Sequence, residues 1–202
     1  MTDLKSGDPS IEGSVDSCES TGVRGLDSHD LAIVEAQLGR IPRGAVEVAW
    51  RCPCGKPAVV KTAPRLPDGT PFPTTYYLTC PTATKLCSTL EGTGMMAEMT
   101  ERLGKDPDLA ERYRTAHDSY LEDRNDLAAE TGLDVPQIAG ISAGGMPDRV
   151  KCLHSLVGHS LAKGPGVNPL GDEALGALGE FWVHPCLADR EDLAVPLYKE
   201  SS

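Results

Sequence analysis

Long apolar runs are missing from this chain. None approaches the roughly 20 residues that a membrane-spanning helix needs, and the first twenty residues hold no apolar segment typical of a secretory signal. Phe and Trp occur only twice each, so the core must be built mainly from Leu, Val, Ala and Met. These absences predict a cytoplasmic protein without membrane contact, and its 202 residues suffice for one sizeable core.

Positive charge is also scarce: 19 Lys and Arg face 30 Asp and Glu, which gives a net charge of −11. Nucleic-acid binding depends on Lys and Arg that neutralise phosphates, so this balance argues against a DNA or RNA partner. A local basic patch can still bind a small anion, and the acidic ends of the chain can contact a protein partner. Walker A and G-x-G-x-x-G motifs are both missing, and with them the direct sequence support for nucleotide binding.

The order of patterns along the chain predicts an α+β domain, a small antiparallel sheet of about three strands covered by about five helices. The strands are expected at residues 44–51, from 58–60 onward and at 74–79. A helix is expected from Met146 or Pro147 to about Lys163. The domain boundaries are a disordered acidic tail at 1–27, a single globular domain at 28–186 and a polar C-terminal tail at 187–202.

Seven cysteines in a chain expected to be cytoplasmic argue against a disulfide framework and for metal ligation or thiol chemistry. Cys52 and Cys54 lie in the predicted hairpin turn, and Cys80 follows the third strand, so a three-stranded meander brings them together. Cys152, from the helix after the glycine-rich segment, completes a four-thiolate set. This set predicts a metal site, with zinc expected and an iron–sulfur cluster as the alternative.

Other interpretations of the cysteines stay open. They are small buried residues without a metal, or one of them is a redox or catalytic thiol. His184 and Cys186 form an alternative ligand pair near the C-terminal tail. Cys18 lies in the polar N-terminal tail, and Cys87 fits a buried position in a helical pattern.

Basic residues adjoin the two least regular segments of this acidic chain. A loop of small residues before a helix exposes backbone N–H groups at the positive end of the helix dipole, and nearby Lys and Arg strengthen such a site. We therefore expect an anion pocket for phosphate or carboxylate. Its residues are Lys61, Arg65, Ser142, Gly144, Gly145 and Arg149, with Lys151 nearby. The alternative is a solvated turn with surface cations.

His154 is the candidate for proton transfer beside such an anion. Helical geometry separates Cys152 and His154 by about 200° around the axis, so their side chains are expected on opposite faces. In the competing interpretation His154, His159 and His117 are ordinary core or surface residues. No Ser–His–Asp order or H-E-x-x-H motif is present.

Two long stretches carry a family resemblance: RCPCGKPAVVKTAPRLPDGTPFPTTYYLTCP at 51–81 and GISAGGMPDRVKCLHSLVGHSLAKGPGVNPLGDEAL at 140–175. In this order they resemble the DUF501 family of actinobacterial proteins, and the resemblance runs from about residue 30 to 180. Genes of that family often stand beside those for a septum-formation initiator, an enolase and an exopolyphosphatase. The resemblance implies housekeeping or division physiology and assigns no chemistry.

Two functions are compatible with these features. The first is an enzyme, a hydrolase or transferase of a phosphorylated metabolite, in which the metal site braces the anion pocket and His154 moves the proton. The second is a non-catalytic, metal-stabilised adaptor linked to cell division, which contacts a protein partner. Lys, Arg, His, Ser and Gly cluster in the two matching stretches and favour the enzyme, because an adaptor more often exposes an apolar patch.

Overall fold

The computed structural model describes residues 26–183 and Cys186. Almost all of the predicted N-terminal tail at 1–27, His184 and the predicted C-terminal tail at 187–202 lie outside the described residues. Among the helices of the described part, none combines the length and the apolar character that a membrane crossing requires.

A three-stranded antiparallel sheet in the order β1, β2, β3 forms one layer. Its strands are β1 Ala45–Arg51, β2 Pro57–Thr62 and β3 Tyr76–Leu78. Neighbouring side chains of a strand point to opposite faces, and both Val59 and Val60 are at most 1% exposed, so both faces of β2 are covered. The predicted hairpin is confirmed, whereas β3 is shorter than the predicted residues 74–79. Just before β3, the Thr75 N–H donates to the Tyr120 hydroxyl at 2.6 Å.

Six α-helices pack around the sheet in the described part of the chain, which confirms the predicted α+β class with one helix more than expected. Their bounds are α1 Ser28–Leu38, α2 Pro81–Glu91, α3 Met95–Leu103, α4 Pro107–Thr131, α5 Leu153–Lys163 and α6 Pro169–Leu178. The Asp106 side chain caps α4 by accepting from the Leu109 N–H at 3.0 Å, and Pro107 takes the first helical position.

The centre of the fold is α5, where Leu153 and Leu156 are fully buried. On one side a Cβ at Gly158 would lie 3.0 Å from the carbonyl oxygen of Tyr76, so α5 lies directly against β3. On the other side a Cβ at Gly171 would overlap the carbonyl oxygen of Leu156. Glycine at both contacts therefore lets α5 pack at backbone distance between the sheet and α6.

The segment before α5 corrects one sequence prediction. The helix expected from Met146 or Pro147 begins only at Leu153. Residue 152, its N-cap, has φ −156° and ψ 112°, which is extended backbone. Residues 139–151 form an irregular segment that we call the glycine loop.

Backbone hydrogen bonds explain why the glycine loop is not helical. The N–H groups of Arg149 and Lys151 donate to the carbonyls of Gly145 and Gly144, at 3.2 and 2.7 Å, and so close a turn. Gly144 and Gly145 have φ of 72° and 93° in this turn, a region that glycine enters without strain. A Cβ at Gly145 would also lie 2.7 Å from the Arg149 carbonyl oxygen, so this position requires glycine.

The long helix α4 braces the glycine loop from below. Arg124, only 1% exposed, donates to the carbonyl oxygens of Ile138 (2.9 Å) and Ile141. About two helical turns earlier on α4, Nδ1 of His117 lies 2.8 Å from the Ser142 hydroxyl. The loop is therefore anchored by buried polar contacts and not only by its own turns.

His159 on α5 is a core residue, in line with the competing interpretation of the sequence. Its ring is fully buried, stacks on Tyr76 with centroids 5.6 Å apart and meets Tyr120 edge-on at 5.1 Å. Burial lowers the pKa of His159 to about 4, so the ring is neutral in the folded protein at neutral pH.

The neutral His159 predicts a loss of stability in acid. Its pKa is about 4 in the folded chain and 6.5 as the ordinary value, so the unfolded chain binds a proton first. The free energy of unfolding should therefore fall as the pH drops from about 6.5 towards 4. Urea unfolding of wild type and His159→Gln across this range measures the effect, and the variant should show a shallower slope. Equal slopes would contradict the prediction.

Candidate functional site

A carboxylate, a thiol and an imidazole meet where the end of α2 lies against the start of α5. Glu91 is the last residue of α2, Cys152 is the N-cap of α5, and His154 lies in its first turn. One carboxylate oxygen of Glu91 accepts the Leu153 N–H at 2.7 Å and lies 3.0 Å from Nδ1 of His154. Glu91 thus occupies the positive end of the α5 dipole and holds the histidine ring at the same time.

The His154 ring is fixed through both nitrogens. Nε2 lies 3.1 Å from the Thr84 carbonyl oxygen, which can only accept, so Nε2 carries a hydrogen. Nδ1 faces the Glu91 carboxylate and, at 3.7 Å, the Cys152 sulfur. A thiol, an acid–base group and an orienting carboxylate therefore meet at one nitrogen, the arrangement that activates a nucleophile.

The contact between Cys152 and His154 corrects the expectation that they point to opposite faces. That expectation treated both residues as helical. Because Cys152 has extended backbone and α5 starts one residue later, the helical rotation does not apply to it. The extended cap brings the thiol back over the first turn and onto the His154 ring.

Electrostatics favour an ion pair between these two groups. The hydrogen bond with Cys152 and the Glu91 carboxylate raise the pKa of His154 to about 9 despite burial. Burial alone would raise the pKa of the Cys152 thiol, but hydrogen bonds from His154 and Ser155 outweigh it and leave the pKa lowered. The hydrogen bond between the two groups therefore favours a charged imidazole and a thiol of lowered pKa, a combination that suits a proton donor and a nucleophile.

The same cluster also has the spacing of a metal site. One donor atom each from Glu91, Cys152 and His154 lies within 4.8 Å of the others, and all three residues are partly buried. Cys, His and carboxylate are the donor types that zinc accepts, and three protein ligands leave a position open.

A cavity opens beside this cluster. It has a volume of about 620 Å³, and its walls come from β3, the C-terminal end of α1, the N-terminal part of α2 and the start of α5. Cys152, His154 and Ser155 line it on the α5 side, and Tyr76 and Tyr77 line it on the β3 side. A small molecule in this cavity would therefore reach the thiol and the imidazole together.

A second cavity of about 400 Å³ lies over the glycine loop, and Thr74 and Ser155 line both cavities. It collects four of the six residues predicted for the anion pocket, together with two further charged side chains. Its lining includes Ser142, Gly144, Gly145 and Arg149 from the prediction, and also Asp148 and Lys151. The Arg149 and Lys151 side chains are exposed, so both cations are open to a ligand.

Lys61 and Arg65 are not brought to this cavity. Lys61 lies on β2, with its ammonium 3.4 Å from the Glu47 carboxylate of the neighbouring strand. The Arg65 guanidinium donates to the carbonyl oxygens of Gly69 (2.9 Å) and Asp134, since the loop after β2 folds towards the end of α4. From the connection between β2 and β3, Pro73 and Thr74 reach the glycine loop instead.

The other cysteines gather away from Cys152. Cys52, Cys54 and Cys80 lie around the β1–β2 turn and the start of α2, and Cys186 lies with them. A hydrogen bond between the thiols of Cys80 and Cys186 raises the pKa of Cys80 and lowers that of Cys186. Cys152 sits with Glu91 and His154 instead, so Cys186, the alternative ligand, takes its place beside the other three. Cys87 is fully buried.

Sequence reasoning missed Glu91. The residue ends a helix just before Gly92 and stands 61 positions before Cys152, without a motif that links the two. A carboxylate at a helix C-terminus is unfavourable beside the negative end of the helix dipole, and this is the signal that marks it. The cost is offset because the same carboxylate caps α5.

Comparison with known proteins identifies the family of this chain. No curated protein and no solved structure matches it significantly. One family model, described as "Protein of unknown function (DUF501)", matches residues 48–176, well over half of the 202 residues. The matched range contains Cys152, His154, Glu91 and the glycine loop. The chain therefore belongs to the DUF501 family.

Proposed function

We propose that this domain is a cytoplasmic, cysteine-dependent hydrolase or transferase of a small substrate that carries a phosphate or carboxylate group. The observation that carries the proposal is the position of His154 Nδ1, 3.0 Å from the Glu91 carboxylate and 3.7 Å from the Cys152 sulfur, on the wall of the 620 Å³ cavity. A nucleophile, its acid–base partner and an orienting third group define covalent catalysis by geometry.

In the first half-reaction, the Cys152 thiolate attacks the carbonyl carbon of the substrate and forms a carbon–sulfur bond. The bond to the leaving group breaks, and the imidazolium of His154 gives its Nδ1 proton to the departing oxygen or nitrogen. In the second, water or an acceptor attacks the thioester while neutral His154 takes a proton, and the thiolate leaves. Glu91 keeps the His154 ring oriented and stabilises its positive charge in the substrate-free enzyme.

The residues that line the glycine-loop cavity bind the anionic group of the substrate. Arg149 and Lys151 carry two positive charges there against the single negative charge of Asp148, so the local charge is positive in an acidic chain. A guanidinium binds phosphate or carboxylate through two parallel hydrogen bonds. Ser155 lines both cavities, so an anion held by Arg149 leaves the rest of the molecule directed at Cys152.

Thiol labelling tests this function. Iodoacetamide at pH 7, followed by mass spectrometry of the peptides, should modify Cys152 much faster than the buried Cys87, because the reactive form is the thiolate. Inorganic phosphate should slow the labelling of Cys152 by occupying the adjacent cavity. Arg149→Ala should abolish this protection without slowing the labelling itself.

Arg112→Ala is the matched control, since Arg112 is an exposed arginine of α4 outside both cavities. It should retain full protection by phosphate. Labelling of Cys152 no faster than that of Cys87, or labelling indifferent to phosphate, would contradict the proposal. The non-catalytic adaptor would then be the better interpretation of the domain.

A further inference from the structure

We propose that Cys52, Cys54, Cys80 and Cys186 bind one tetrahedral zinc ion, which fastens the C-terminal segment of the domain to the β1–β2 hairpin. This site is separate from the Glu91, Cys152 and His154 cluster, and it does not depend on the proposed catalysis. Four thiolates select zinc or iron, and a structural zinc site is closed by four protein ligands.

The hairpin turn presents the first two sulfurs. Cys52 follows β1 directly, and the Gly55 N–H donates to its carbonyl at 2.8 Å, which makes a tight turn. Gly55 has φ 83°, so glycine is needed to complete that turn. The Cys52 N–H also donates to the Lys56 carbonyl at 3.0 Å. The turn therefore shortens the separation that an extended C-x-C pair would have, and the Cys52 and Cys54 thiols lie close enough to interact.

The third sulfur lies beside the same turn. Cys80 ends the strand segment after β3, and its N–H points to the Ala58 carbonyl oxygen at 3.4 Å. Ala58 is the second residue of β2, directly after the turn that carries Cys54. Cys52 and Cys80 are 3% and 1% exposed, so an ion held by them is shielded from water.

The fourth sulfur arrives from the far end of the domain. The buried Phe181 packs its ring against Trp50 with centroids 6.3 Å apart, and Trp50 stands two residues before Cys52. Gln37 then donates through Nε2 to the Pro57 carbonyl at 2.7 Å and to the Cys186 sulfur at 3.5 Å. The Cys186 thiol lies close enough to interact with the thiols of Cys54 and Cys80, which places it near the turn and the start of α2.

The surroundings of the sulfurs suit thiolate ligands. The N–H groups of Thr82 and Ala83, at the start of α2, interact with the Cys80 sulfur. The amide of Gln37 donates to Cys186, and Lys56 lies close enough to act on the charge of that thiol. Donors of this kind orient metal-bound sulfur and balance the charge of four thiolates. Zinc bonds of about 2.3 Å would draw the four sulfurs to about 3.8 Å from one another.

The test is the zinc content of untagged, reduced protein by native mass spectrometry, after zinc addition and removal of excess metal. Wild type should carry one tightly held zinc ion, and Cys80→Ser and Cys186→Ser should each lower the zinc affinity at least tenfold. Cys152→Ser is the matched control and should retain the ion, because its sulfur belongs to the other cluster. Cobalt(II) in place of zinc should give the absorption of a tetrahedral thiolate complex in wild type and in the control.

A second measurement, the melting temperature with and without a chelator, tests the site even if a cysteine variant folds poorly. A strong chelator should lower the melting temperature of wild type and of Cys152→Ser, and it should leave that of Cys186→Ser unchanged, since metal binding adds to stability only where the site exists. The site would be overturned by wild type without bound zinc, by full zinc in Cys186→Ser, or by loss of zinc in Cys152→Ser alone. The last result would place the ion at Glu91, Cys152 and His154.

Discussion

His154→Gln should slow the alkylation of Cys152 at pH 6.5 by about tenfold or more. In wild type, hydrogen bonds from His154 and Ser155 lower the pKa of the Cys152 thiol despite its burial, which raises the thiolate fraction. Glutamine keeps a hydrogen-bonding side chain but carries no charge, so the pKa of Cys152 should return towards its ordinary value. Each unit of that rise costs about a factor of ten in thiolate at a pH below both values.

The pH profile of labelling separates this electrostatic effect from simple disruption. Wild type should lose reactivity only at lower pH, whereas His154→Gln should gain reactivity as the pH rises through about 8.5 and approach wild type above it. Glu91→Gln is the companion variant: its amide oxygen can still accept the Leu153 N–H, but the charge that raises the pKa of His154 is gone. It should give a profile between the two. Identical profiles for wild type and His154→Gln would mean that the imidazole does not activate the thiol.

Arg124→Met should lower the free energy of unfolding by about 2–5 kcal/mol, because the carbonyls of Ile138 and Ile141 lose the hydrogen bonds from the buried guanidinium. Methionine fills much of the space of the arginine stem, so packing is largely kept. The same change should weaken the protection of Cys152 by phosphate, since the glycine loop loses one of its anchors on α4. Urea unfolding and the labelling assay measure the two effects.

Arg114→Met is the control for this change. Arg114 lies on the same helix, is 56% exposed and pairs with Glu111 at 3.7 Å, so its removal should change the free energy of unfolding by less than about 0.5 kcal/mol. If Arg124→Met proves no less stable than Arg114→Met, the buried guanidinium does not hold the loop. Phosphate protection that survives in a destabilised Arg124→Met would show that the loop keeps its shape without this anchor.

Periodicity predicted the sheet, the hairpin and most helices because buried positions recur at regular intervals along most of these elements. It failed before Leu153, where helical spacing of Val150 and Leu153 suggested an earlier start. There the N–H groups of Arg149 and Lys151 bond back to the glycine carbonyls, and short-range spacing does not report such a turn. The missed helix start then led to the wrong relation between Cys152 and His154.

The candidate site was predictable in part. Its titratable residue His154 and Arg149, the residue proposed to bind the anion, were visible as unusual residues beside a small-residue loop. Glu91 was not, because its role depends on α2 and α5 meeting end to end, which is a property of tertiary packing. Likewise the sequence grouped Lys61 and Arg65 with the glycine loop because they are basic residues beside an irregular segment. They do not line the glycine-loop cavity, and strand pairing places Lys61 beside Glu47.

The two glycine contacts fix how closely α5 packs between β3 and α6. A side chain at Gly158, five residues after Leu153, would push on the Tyr76 backbone and displace the helix away from β3. Such a variant would pull the thiol and the imidazole out of line with Glu91 although it touches none of them. The positions of the residues at the start of α5 therefore depend on how the helix packs in the core. Substitutions that change reactivity without disturbing the fold are confined to residues at the start of the helix.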